Sequence, residues 1–459
     1  MHRSSLFALA AFALGAAVLP RPAQADDAAA QVDALYAKVI TAETPGGVVL
    51  VVRHGNVVAR RAYGLANVEL KVAMRPELRF RIASISKQIT AVAILQLAEA
   101  GKLELQAPIG RYLRNAPAAW DAITVAELLD HTSGIVSPGD AAPELKSAIT
   151  SVATGDELRA LLDKQPLHSP PGTQHSYNNW GYALLGQILE NLTGTPYCDY
   201  IPTKLLAPLG MVQTECLIAR APLADLVSGY DRNDDRSLAT PHEALGKTPM
   251  VPAGGLVSNV DDLARWTLAL HGGKLLTPQS YARLIAATKL PSGEDVPYGF
   301  GTRLRTVDGR ALVVANGDGP GYHSEIAFDR ACDCVAIALY NFGPRYAYFS
   351  RRLLAIARGA PIAPPRTVSV APAALARFVG AYAGGGRSPR AIELDHGVLY
   401  MRTERDPVRD ALVAVAPDVF RLADDDDTRL GFVASHGAVT GVRISTDGVS
   451  GNVVQQVTH

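Results

Sequence analysis

The chain has 459 residues, of which 48% are hydrophobic and 19% charged, an ordinary globular composition that predicts a sizeable hydrophobic core and two or three domains. Its 44 lysine and arginine residues are matched by 44 aspartate and glutamate residues. This balance gives no support to nucleic acid as a partner, because such binding draws mainly on an excess of basic side chains.

The first 25 residues have the pattern of a secretory signal peptide. A basic start, MHRSS, precedes the fourteen-residue apolar run LFALAAFALGAAVL, and the small residues Ala23 and Ala25 suit cleavage near Ala25. That run is too short to span a bilayer comfortably, and no later segment is long and apolar enough, so no stable membrane insertion is expected. We predict a protein that is periplasmic or secreted after cleavage.

The segments that follow predict an α+β domain at residues 26–360. AAAQVDALYAKVI predicts a helix, and GGVVLVV and VVARRAYGLA, joined by RHGN, predict a β-hairpin. An apolar helix is predicted from Ser84 to Gly101, and residues 110–290 are mostly helix and loop. Strand patterns return in YGFGTRLRT, ALVVAN, SEIAF and CVAIALYN. We expect one antiparallel sheet built from both ends of the domain, flanked by helices and interrupted by a helical subdomain.

A proline-rich stretch separates this domain from a small β domain. After the helix pattern SRRLLAIARGA, the stretch PIAPPRTVSVAP contains four prolines in twelve residues, which predicts a linker at residues 361–371. Short strand patterns in AIELDHGVLYMRT, DVFRLA, RLGFVAS and VTGVRIST then predict a separate β domain at residues 372–459.

Four cysteines follow the predicted cleavage site, in a compartment where disulfides can persist. Cys198 and Cys216 are the better candidate pair, because Cys332 and Cys334, at i and i+2 of an apparent strand, would lie near the upper distance limit for a bridge. Four cysteines allow three pairings, and the sequence does not choose among them. The sequence has no C-x-x-C and no H-E-x-x-H, so a zinc site has little support.

RIASISKQIT places Ser84 and Lys87 three positions apart at the start of an apolar helix. Residues at this spacing share a helix face with β-carbons about 5–6 Å apart, so the lysine can reach the serine oxygen. The helix N-terminus favours a developing alkoxide, and burial would lower the lysine pKa, so that a neutral amine could accept the serine proton. The alternative is that Ser84 only caps the helix and Lys87 lies in solvent.

A second candidate group lies in the loop that precedes another helix, within PGTQHSYNNWGYALLG. Tyr177 can act as a general base if nearby cations lower its pKa, and the amide of Asn179 can hold a substrate carbonyl. The alternative is a buried tyrosine with a satisfied hydroxyl, beside an asparagine that caps the helix.

Together these stretches resemble the serine β-lactamase and penicillin-binding superfamily, in particular the class C β-lactamases, D-alanyl-D-alanine carboxypeptidases, D-aminopeptidases and related esterases. The matching stretches stand in the family's order and spacing over about residues 32–357: RFRIASISKQITAVAILQLAEAGKL, ITVAELLDHTSGI, PPGTQHSYNNWGYALLGQILENLTG, LLAPLGM, PAGGLVSNVDDLARW and YGFGTRL. The resemblance implies a β-lactamase/transpeptidase-like fold. The small β domain is similar to the lipocalin-like appendage of some of these hydrolases.

The resemblance also implies roles for individual residues. Ser84 would be the nucleophile that accepts the acyl group, and Lys87 would help to deprotonate it. Tyr177 would pass the proton to the leaving group and activate water for deacylation, while Asn179 would hydrogen-bond to the substrate and to the lysine. His131, in DHTSGI, corresponds to a structural residue and is not expected to act as a base.

The chain departs from the family at its third motif, which has lysine or histidine, any residue and then glycine on the strand that borders the cleft. Here the corresponding residues are Ala315, Asn316 and Gly317, so the cation is missing. Without it we expect Tyr177 to keep a higher pKa and the recognition of carboxylates to weaken. This argues against an efficient β-lactamase and favours neutral esters or amides.

Other features of this region remain compatible with a hydrolase. The amides of Ser84 and Asp318 could form an oxyanion hole, so Asn316, Gly317 and Asp318 are predicted to contact the substrate. His323 is a candidate substitute for the missing cation if its loop folds back towards the cleft.

The predicted function is therefore an exported serine hydrolase that cleaves an ester or amide of a small-molecule, peptide or cell-wall-derived substrate, without a metal or organic cofactor. The alternative is a non-catalytic cell-wall or peptide-binding protein on the same fold, which the missing cation would favour. The presence of Ser84, Lys87 and Tyr177 together favours the hydrolase. The sequence does not separate hydrolysis from transfer of the acyl group to an amine.

Overall fold

The computed structural model describes residues 23–37, 39–137, 141–149, 152–217, 223–232, 238–239, 248–342, 350–360, 367–384, 387–403, 409–423, 428–435, 437–446 and 453–457. Apart from its last three residues, the predicted signal peptide lies outside the described residues, as do residues 361–366 of the predicted linker. Within the described part of the chain, no helix is both long and apolar enough to cross a membrane.

The elements of the larger unit have the following bounds. The main sheet contains β1 (Gly47–Arg53), β2 (Asn56–Tyr63), β3 (Arg303–Val307), β4 (Arg310–Gly319), β5 (Tyr322–Asp329) and β6 (Cys334–Tyr340). The longer helices are α1 (Ala23–Tyr36), α2 (Ser86–Glu99), α3 (Val125–Leu129), α4 (Pro143–Ile149), α5 (Gly155–Leu162), α6 (Asn179–Thr193), α7 (Val260–His271), α8 (Pro278–Leu284) and α9 (Ser350–Arg358).

Shorter elements connect them. Short strands lie at Leu65–Asn67, Val72–Ala73, Phe80–Arg81, Glu215–Cys216, Asp231–Arg232, Leu238–Ala239, Leu256–Ser258, Thr288–Lys289 and Asp295–Val296. Short helical turns lie at Ala83–Ile85, Ile109–Arg111, Ala118–Trp120, Tyr197–Tyr200, Ile201–Leu206, Ala207–Leu209, Thr248–Met250 and Val251–Gly254.

The main sheet is antiparallel throughout, in the order β3-β4-β5-β6-β1-β2. β1 lies between β2 and β6, with Val49 opposite Arg61 on one side and Ala338 on the other. The amino-terminal hairpin therefore joins the carboxy-terminal strands, and a largely helical insert separates the two halves in sequence. The predicted α+β fold, with one antiparallel sheet built from both ends of the domain, is confirmed.

Apolar side chains on both sides of β1 explain why helices cover both faces of the sheet. Val48, Leu50 and Val52 belong to one buried cluster, while Val49 and Val51 belong to another on the opposite face. Helices α2 and α7 contribute to the first cluster, and α1 and α9 to the second. Because each fully buried side chain of this kind contributes roughly 1.5–3 kcal/mol, the two faces hold the sheet between helical layers.

Helix α2 runs through the centre of the larger unit. All of its residues from Ser86 to Leu95 are buried, which explains why its sequence is apolar on every side rather than on one face. It begins at Ser86 rather than at the predicted Ser84, because the three residues before it form a tighter 3₁₀ turn. It ends at Glu99, shortly before Gly101, whose φ is +68°.

The carboxy-terminal unit is a closed antiparallel barrel, which confirms the predicted small β domain. Its interior is filled by its own side chains: the rings of Phe378 and Phe432 lie 4.5 Å apart, and Tyr382 and Phe420 pack against them. The barrel strands are β7 (Gly380–Gly384), β8 (Arg387–Asp395), β9 (Val398–Thr403), β10 (Asp410–Ala416), β11 (Val419–Leu422), β12 (Thr428–Ser435), β13 (Ala438–Thr446) and β14 (Val453–Val457).

Both cysteine pairs form disulfide bonds. Cys198 and Cys216, the pair favoured from the sequence, are joined with their α-carbons 5.7 Å apart. Cys332 and Cys334 are also joined, with their α-carbons 5.2 Å apart. The expectation that strand geometry would hold this second pair near the distance limit is wrong, because Cys332 lies in the turn before β6 and Asp333 between them adopts a φ of +47°.

Candidate active site

Ser84 lies in the 3₁₀ turn Ala83–Ile85, which leads directly into α2. Ala83 has a φ of +42°, a left-handed conformation that costs a residue with a β-carbon about 1–3 kcal/mol. Strain of this kind persists only where surrounding contacts impose it, and it is frequent at functional sites. The turn brings Ser84 Oγ to 3.1 Å from Lys87 Nζ.

Lys87 lies inside the protein, with only 1% of its surface exposed. Besides contacting Ser84, its Nζ donates to the carbonyl oxygen of Ala253 at 2.6 Å. Burial, together with the positive charge of Arg303, holds the pKa of Lys87 well below its ordinary value. A neutral amine in this position is able to accept the proton of Ser84.

This geometry contradicts the alternative in which Ser84 only caps the helix and Lys87 is solvated. Ile85 occupies the N-cap position of α2, and no side chain caps it by a hydrogen bond. Instead, Ser84 Oγ accepts a hydrogen bond from the buried Nζ of Lys87. The catalytic roles of both residues stay predictions, but the two groups are in direct contact.

Tyr177 reaches the same place from the loop before α6. Its neighbour Asn178 caps α6, because the side-chain oxygen accepts hydrogen bonds from the amides of Trp180 and Gly181 at 2.9 and 3.3 Å. The Asn178 side-chain nitrogen also donates to the carbonyl oxygen of Ile135 at 2.8 Å. The loop is thereby tied both to its own helix and to the segment that follows α3.

The Tyr177 side chain contacts both members of the Ser84–Lys87 pair. Its hydroxyl is hydrogen-bonded to Ser84, and Lys87 Nζ lies 4.8 Å from its ring centroid. Burial raises the pKa of Tyr177, whereas the hydrogen bond to Ser84 and the charge of Arg303 act in the opposite direction. The phenol is therefore protonated at neutral pH and is placed to donate a proton.

His131 supports the tyrosine without acting on Ser84. Its ring centroid lies 4.4 Å from that of Tyr177. Nδ1 accepts a hydrogen bond from the Asn178 amide at 3.1 Å, so Nε2 carries the ring proton and faces the Tyr298 hydroxyl at 3.1 Å. Because burial holds the pKa of His131 well below its ordinary value, the ring is neutral, in agreement with the structural role expected for it.

Strand β4 passes so close to the Ser84 turn that residue 317 must be glycine. A β-carbon on Gly317 would lie 2.1 Å from the carbonyl oxygen of Ile82 and 2.8 Å from the amide nitrogen of Ser84. Ser324, on β5, strengthens the contact by donating to the same Ile82 oxygen at 2.9 Å. The Ser84 amide thus faces β4 beside Asp318, and the oxyanion hole expected from these two amides stays a prediction.

Asn316, Asp318 and His323 are linked by hydrogen bonds at the end of the β4–β5 hairpin. Asp318 lies opposite His323, with His323 Nδ1 2.7 Å from Asp318 Oδ1, and Asn316 Nδ2 donates to Asp318 Oδ2 at 3.2 Å. His323 belongs to a regular strand, so its position needs no folding back of a loop. Its hydrogen-bond partner in the described structure is a carboxylate, not Tyr177 or Lys87.

Asn179 is the first residue of α6, and the hydrogen bond to Lys87 expected from the family is absent among the described contacts, because the lysine donates to Ala253 instead. Within the described residues, Asn179 Oδ1, Asn316 Oδ1 and His175 Nε2 are buried without a hydrogen-bond partner. An unpaired buried polar atom costs roughly 1–3 kcal/mol. All three belong to segments that border Ser84 or Tyr177, as expected for a site that pairs them with a ligand or water.

The sequence did not predict two residues of this cluster, Tyr298 and Arg303. Arg303 begins β3, and its guanidinium carbon lies 5.7 Å from the ring centroids of both Tyr177 and Tyr298. Both Tyr298 and Arg303 belong to YGFGTRL, whose pattern does not distinguish them from ordinary strand residues. Only the packing of this segment against α2 and the loop before α6 brings them to the site.

The chemical groups of the cluster are a hydroxyl, an amine, a phenol and a guanidinium. Within the described part of the chain, no group of three or more histidine, cysteine, aspartate and glutamate side chains could hold a metal ion. The arrangement suits nucleophilic attack by a serine on a carbonyl, with proton transfer through the neighbouring amine and phenol.

A protein-family model described as Beta-lactamase matches residues 28–360. Since these residues form most of the chain, the protein belongs to this family. The resemblance to serine β-lactamases and penicillin-binding proteins that the sequence motifs indicated is confirmed, and so is the fold class that it implied.

Individual relatives share part of their length with this chain. Protein flp of Staphylococcus aureus is 30% identical over 322 residues, which cover 66% of this chain and 60% of that protein. A D-aminopeptidase of Brucella canis is 28% identical over 326 residues, which cover 70% of this chain and 61% of the relative. The chain thus spans about 60% of the length of these curated relatives.

A solved structure, the octameric penicillin-binding protein homologue from Pyrococcus abyssi, has a similar fold. Its TM-score is 0.65 at 24% identity, and the match covers 94% of this chain and 99% of the other. At this level of identity the likeness shows the shared fold alone.

Proposed function

We propose that this protein is an exported serine hydrolase that cleaves an amide or ester bond through an acyl-enzyme on Ser84. The observation that supports this most is the 3.1 Å contact between Ser84 Oγ and Nζ of Lys87, a buried lysine whose pKa is held low. A protein that only binds its ligand has no need for this contact, and burying an amine costs stability.

In the proposed acylation step, Ser84 Oγ attacks the substrate carbonyl and its proton passes to the neutral amine of Lys87. The carbonyl oxygen becomes negatively charged and is stabilised by the backbone amides of Ser84 and Asp318. As the bond to the leaving group breaks, Tyr177 donates its phenolic proton to that group and recovers a proton from the Lys87 ammonium.

Deacylation uses the same groups in the reverse direction. Water attacks the acyl carbon, and its proton passes to Lys87 through Tyr177. The bond between the acyl group and Ser84 Oγ then breaks, Oγ takes a proton back, and the acid product leaves. An amine in place of water would give acyl transfer instead.

For the substrate, we propose a D-amino-acid amide or a short peptide, with simple esters as further substrates. One relative is named D-aminopeptidase, which favours amide cleavage. Position 315 carries alanine instead of a cation, so we expect β-lactam hydrolysis to be slow.

We also propose that the protein is periplasmic or secreted. The support is the signal-peptide pattern of the first 25 residues, together with the two disulfide bonds, which suit an oxidising compartment. Amino-terminal sequencing of the exported protein tests cleavage near Ala25.

The function is tested by intact-mass measurement after brief incubation with an activated short-chain ester, a penicillin and a D-amino-acid amide. Ser84→Ala is the matched control. We expect a covalent adduct or turnover in the wild type that vanishes in the variant, and the reactive compound indicates the substrate class. Absence of both adduct and turnover with every compound would favour the alternative, a non-catalytic peptide or cell-wall binder.

A further inference from the structure

The strand that borders the cleft has no cation at Ala315, but the neighbouring strand begins with one. β3 is the edge strand of the sheet, and its first residue, Arg303, pairs with Val314, the residue before Ala315. The arginine therefore lies one strand away from the position where the family places its lysine or histidine.

The guanidinium of Arg303 lies against the two tyrosines that border the nucleophile. Its carbon is 5.7 Å from the ring centroids of Tyr177 and Tyr298, within the roughly 6 Å over which an aromatic face attracts a cation. Arg305, two residues later, is neutralised by Glu325 at 2.9 Å, whereas Arg303 forms no ion pair with any described carboxylate. The positive charge of Arg303 therefore acts on the site itself.

The turn before β3 packs closely against α2 and fixes the position of Arg303. Gly301 has a φ of +65°, and a β-carbon there would lie 2.7 Å from the carbonyl oxygen of Lys87. The next residue, Thr302, accepts a hydrogen bond from the Gln88 side chain at 3.2 Å. Arg303 is thus anchored to the same turn of α2 that carries Lys87.

We propose that Arg303 is the active-site cation of this enzyme and replaces, from the neighbouring strand, the lysine or histidine missing at position 315. The inference rests on the proposed hydrolase function. Arg303 acts through Lys87 and Tyr177 rather than on the reacting atoms, so it is a positioning residue.

The physical basis is the charge balance of proton transfer. A fixed positive charge favours the neutral amine of Lys87 and the phenolate of Tyr177, because each carries one positive charge less than its conjugate acid. Arg303 lowers the pKa of both groups, whereas Asp318 raises that of Tyr177.

The other titratable groups around this cluster do not supply the charge. Burial lowers the pKa of His175 to about 4 and holds that of His131 well below its ordinary value, so both rings are neutral at physiological pH. Burial also keeps the nearby phenols protonated. These phenols are Tyr182 and Tyr298, and the negative charge of Asp130 also raises the pKa of both.

The test compares Arg303→Met, which removes the charge, with Arg303→Lys, which keeps it, in the full chain. Lys102→Met is the matched control, since it removes one positive charge at an exposed position beyond the far end of α2. The measurement is kcat/KM for a neutral p-nitrophenyl ester across the pH range in which the protein is folded. Because the ester has no carboxylate, the result reports proton transfer and not anion binding.

We expect the ascending limb of the pH profile of Arg303→Met to move by roughly one pH unit towards higher pH, with turnover at neutral pH about tenfold lower. The limb moves towards higher pH because loss of the Arg303 charge raises the pKa of both Lys87 and Tyr177. Arg303→Lys should stay close to the wild type, Lys102→Met should coincide with it, and kcat should change more than KM.

An ascending limb at the same pH in Arg303→Met and the wild type would overturn the inference and leave the proposed hydrolase intact. If circular dichroism shows that Arg303→Met does not fold, Arg303→Gln provides the same comparison with a polar neutral side chain. A wild-type protein without Ser84-dependent turnover would instead overturn the proposed function and this inference with it.

Discussion

Two residues at the candidate site occupy environments that stability alone does not favour. Lys87 is an amine almost completely removed from water, and Ala83 holds a left-handed backbone conformation beside the serine. Local violations of this kind concentrate at functional sites, where the surrounding structure maintains them. Ala83 directly precedes Ser84, and Lys87 follows it by three residues. The two unfavourable contributions to the free energy of folding therefore lie beside the proposed nucleophile.

Replacing Lys87 by methionine should stabilise the fold while removing the chemistry. The variant buries a side chain of similar length without a chargeable group, so we expect the free energy of unfolding at neutral pH to rise by about 1 kcal/mol or more. Turnover of the activated ester should fall by about 10²–10⁴-fold, the usual contribution of a general base. Denaturant unfolding and ester kinetics measure the two effects, with Lys102→Met as the control.

The stability difference between Lys87→Met and the wild type should also depend on pH. The unfolded chain protonates Lys87 up to its ordinary pKa of 10.5, whereas the folded chain releases that proton at lower pH. Between these two pKa values the unfolded wild type binds more protons than the folded wild type. The free energy of unfolding of the wild type therefore rises with pH relative to that of the variant. Unfolding measured at neutral and alkaline pH should show the difference shrinking; a constant difference would contradict the depressed pKa.

At the scale of elements, the site depends on how closely β4 approaches the 3₁₀ turn before α2. The strand comes so near that a β-carbon on Gly317 would overlap the backbone around Ser84. Two residues later the same strand has room, because a β-carbon on Gly319 would meet its nearest neighbour, the Ala83 β-carbon, at 3.6 Å. Gly319→Ala is therefore a matched control for Gly317→Ala on the same strand.

Gly317→Ala should displace β4 from Ser84 and lower kcat/KM by about 100-fold, as expected for a misplacement of about 1 Å in a preorganised site. Gly319→Ala should leave kcat/KM within about threefold of the wild type, since its new methyl group makes only an ordinary contact. Steady-state ester kinetics of the two variants measure the difference. Equal effects of both substitutions would show that the close approach is not what positions Ser84.

At the scale of the whole molecule, the two units have separate hydrophobic cores. The buried clusters on the two faces of the main sheet are built from residues up to Ile356 and Ala357, whereas the barrel core begins at Leu375. All the residues placed in the candidate site belong to the larger unit. A unit with its own core is able to fold by itself.

A chain that ends at Ala360 should therefore fold and keep its ester turnover within about threefold of the full chain. Thermal unfolding followed by circular dichroism and ester kinetics measure the two properties, and Ser84→Ala in the shortened chain confirms that any turnover belongs to the site. Loss of turnover in a shortened chain that still folds would show that the barrel contributes to the cleft.

Several parts of the fold and site were predictable because they depend on neighbours within a few residues. The spacing of Ser84 and Lys87 predicts their contact, since a helical turn brings such positions together, and the continuous run of mostly β-branched apolar residues in β1 predicts a strand. The association of Tyr177 with this pair came from the family resemblance. Helix geometry alone would not have found it, because the two segments are far apart in the chain.

The sequence by itself thus determined the local relations: the Ser84–Lys87 spacing, the strands and helices, and the absence of a cation at Ala315. Only the tertiary structure decided which distant groups meet there. The packing of YGFGTRL against α2 placed Arg303 beside Tyr177, and the approach of β4 to Ser84 required glycine at position 317. The reason is physical: chain geometry sets contacts over a few residues, whereas burial, charge and close approach depend on which elements pack together.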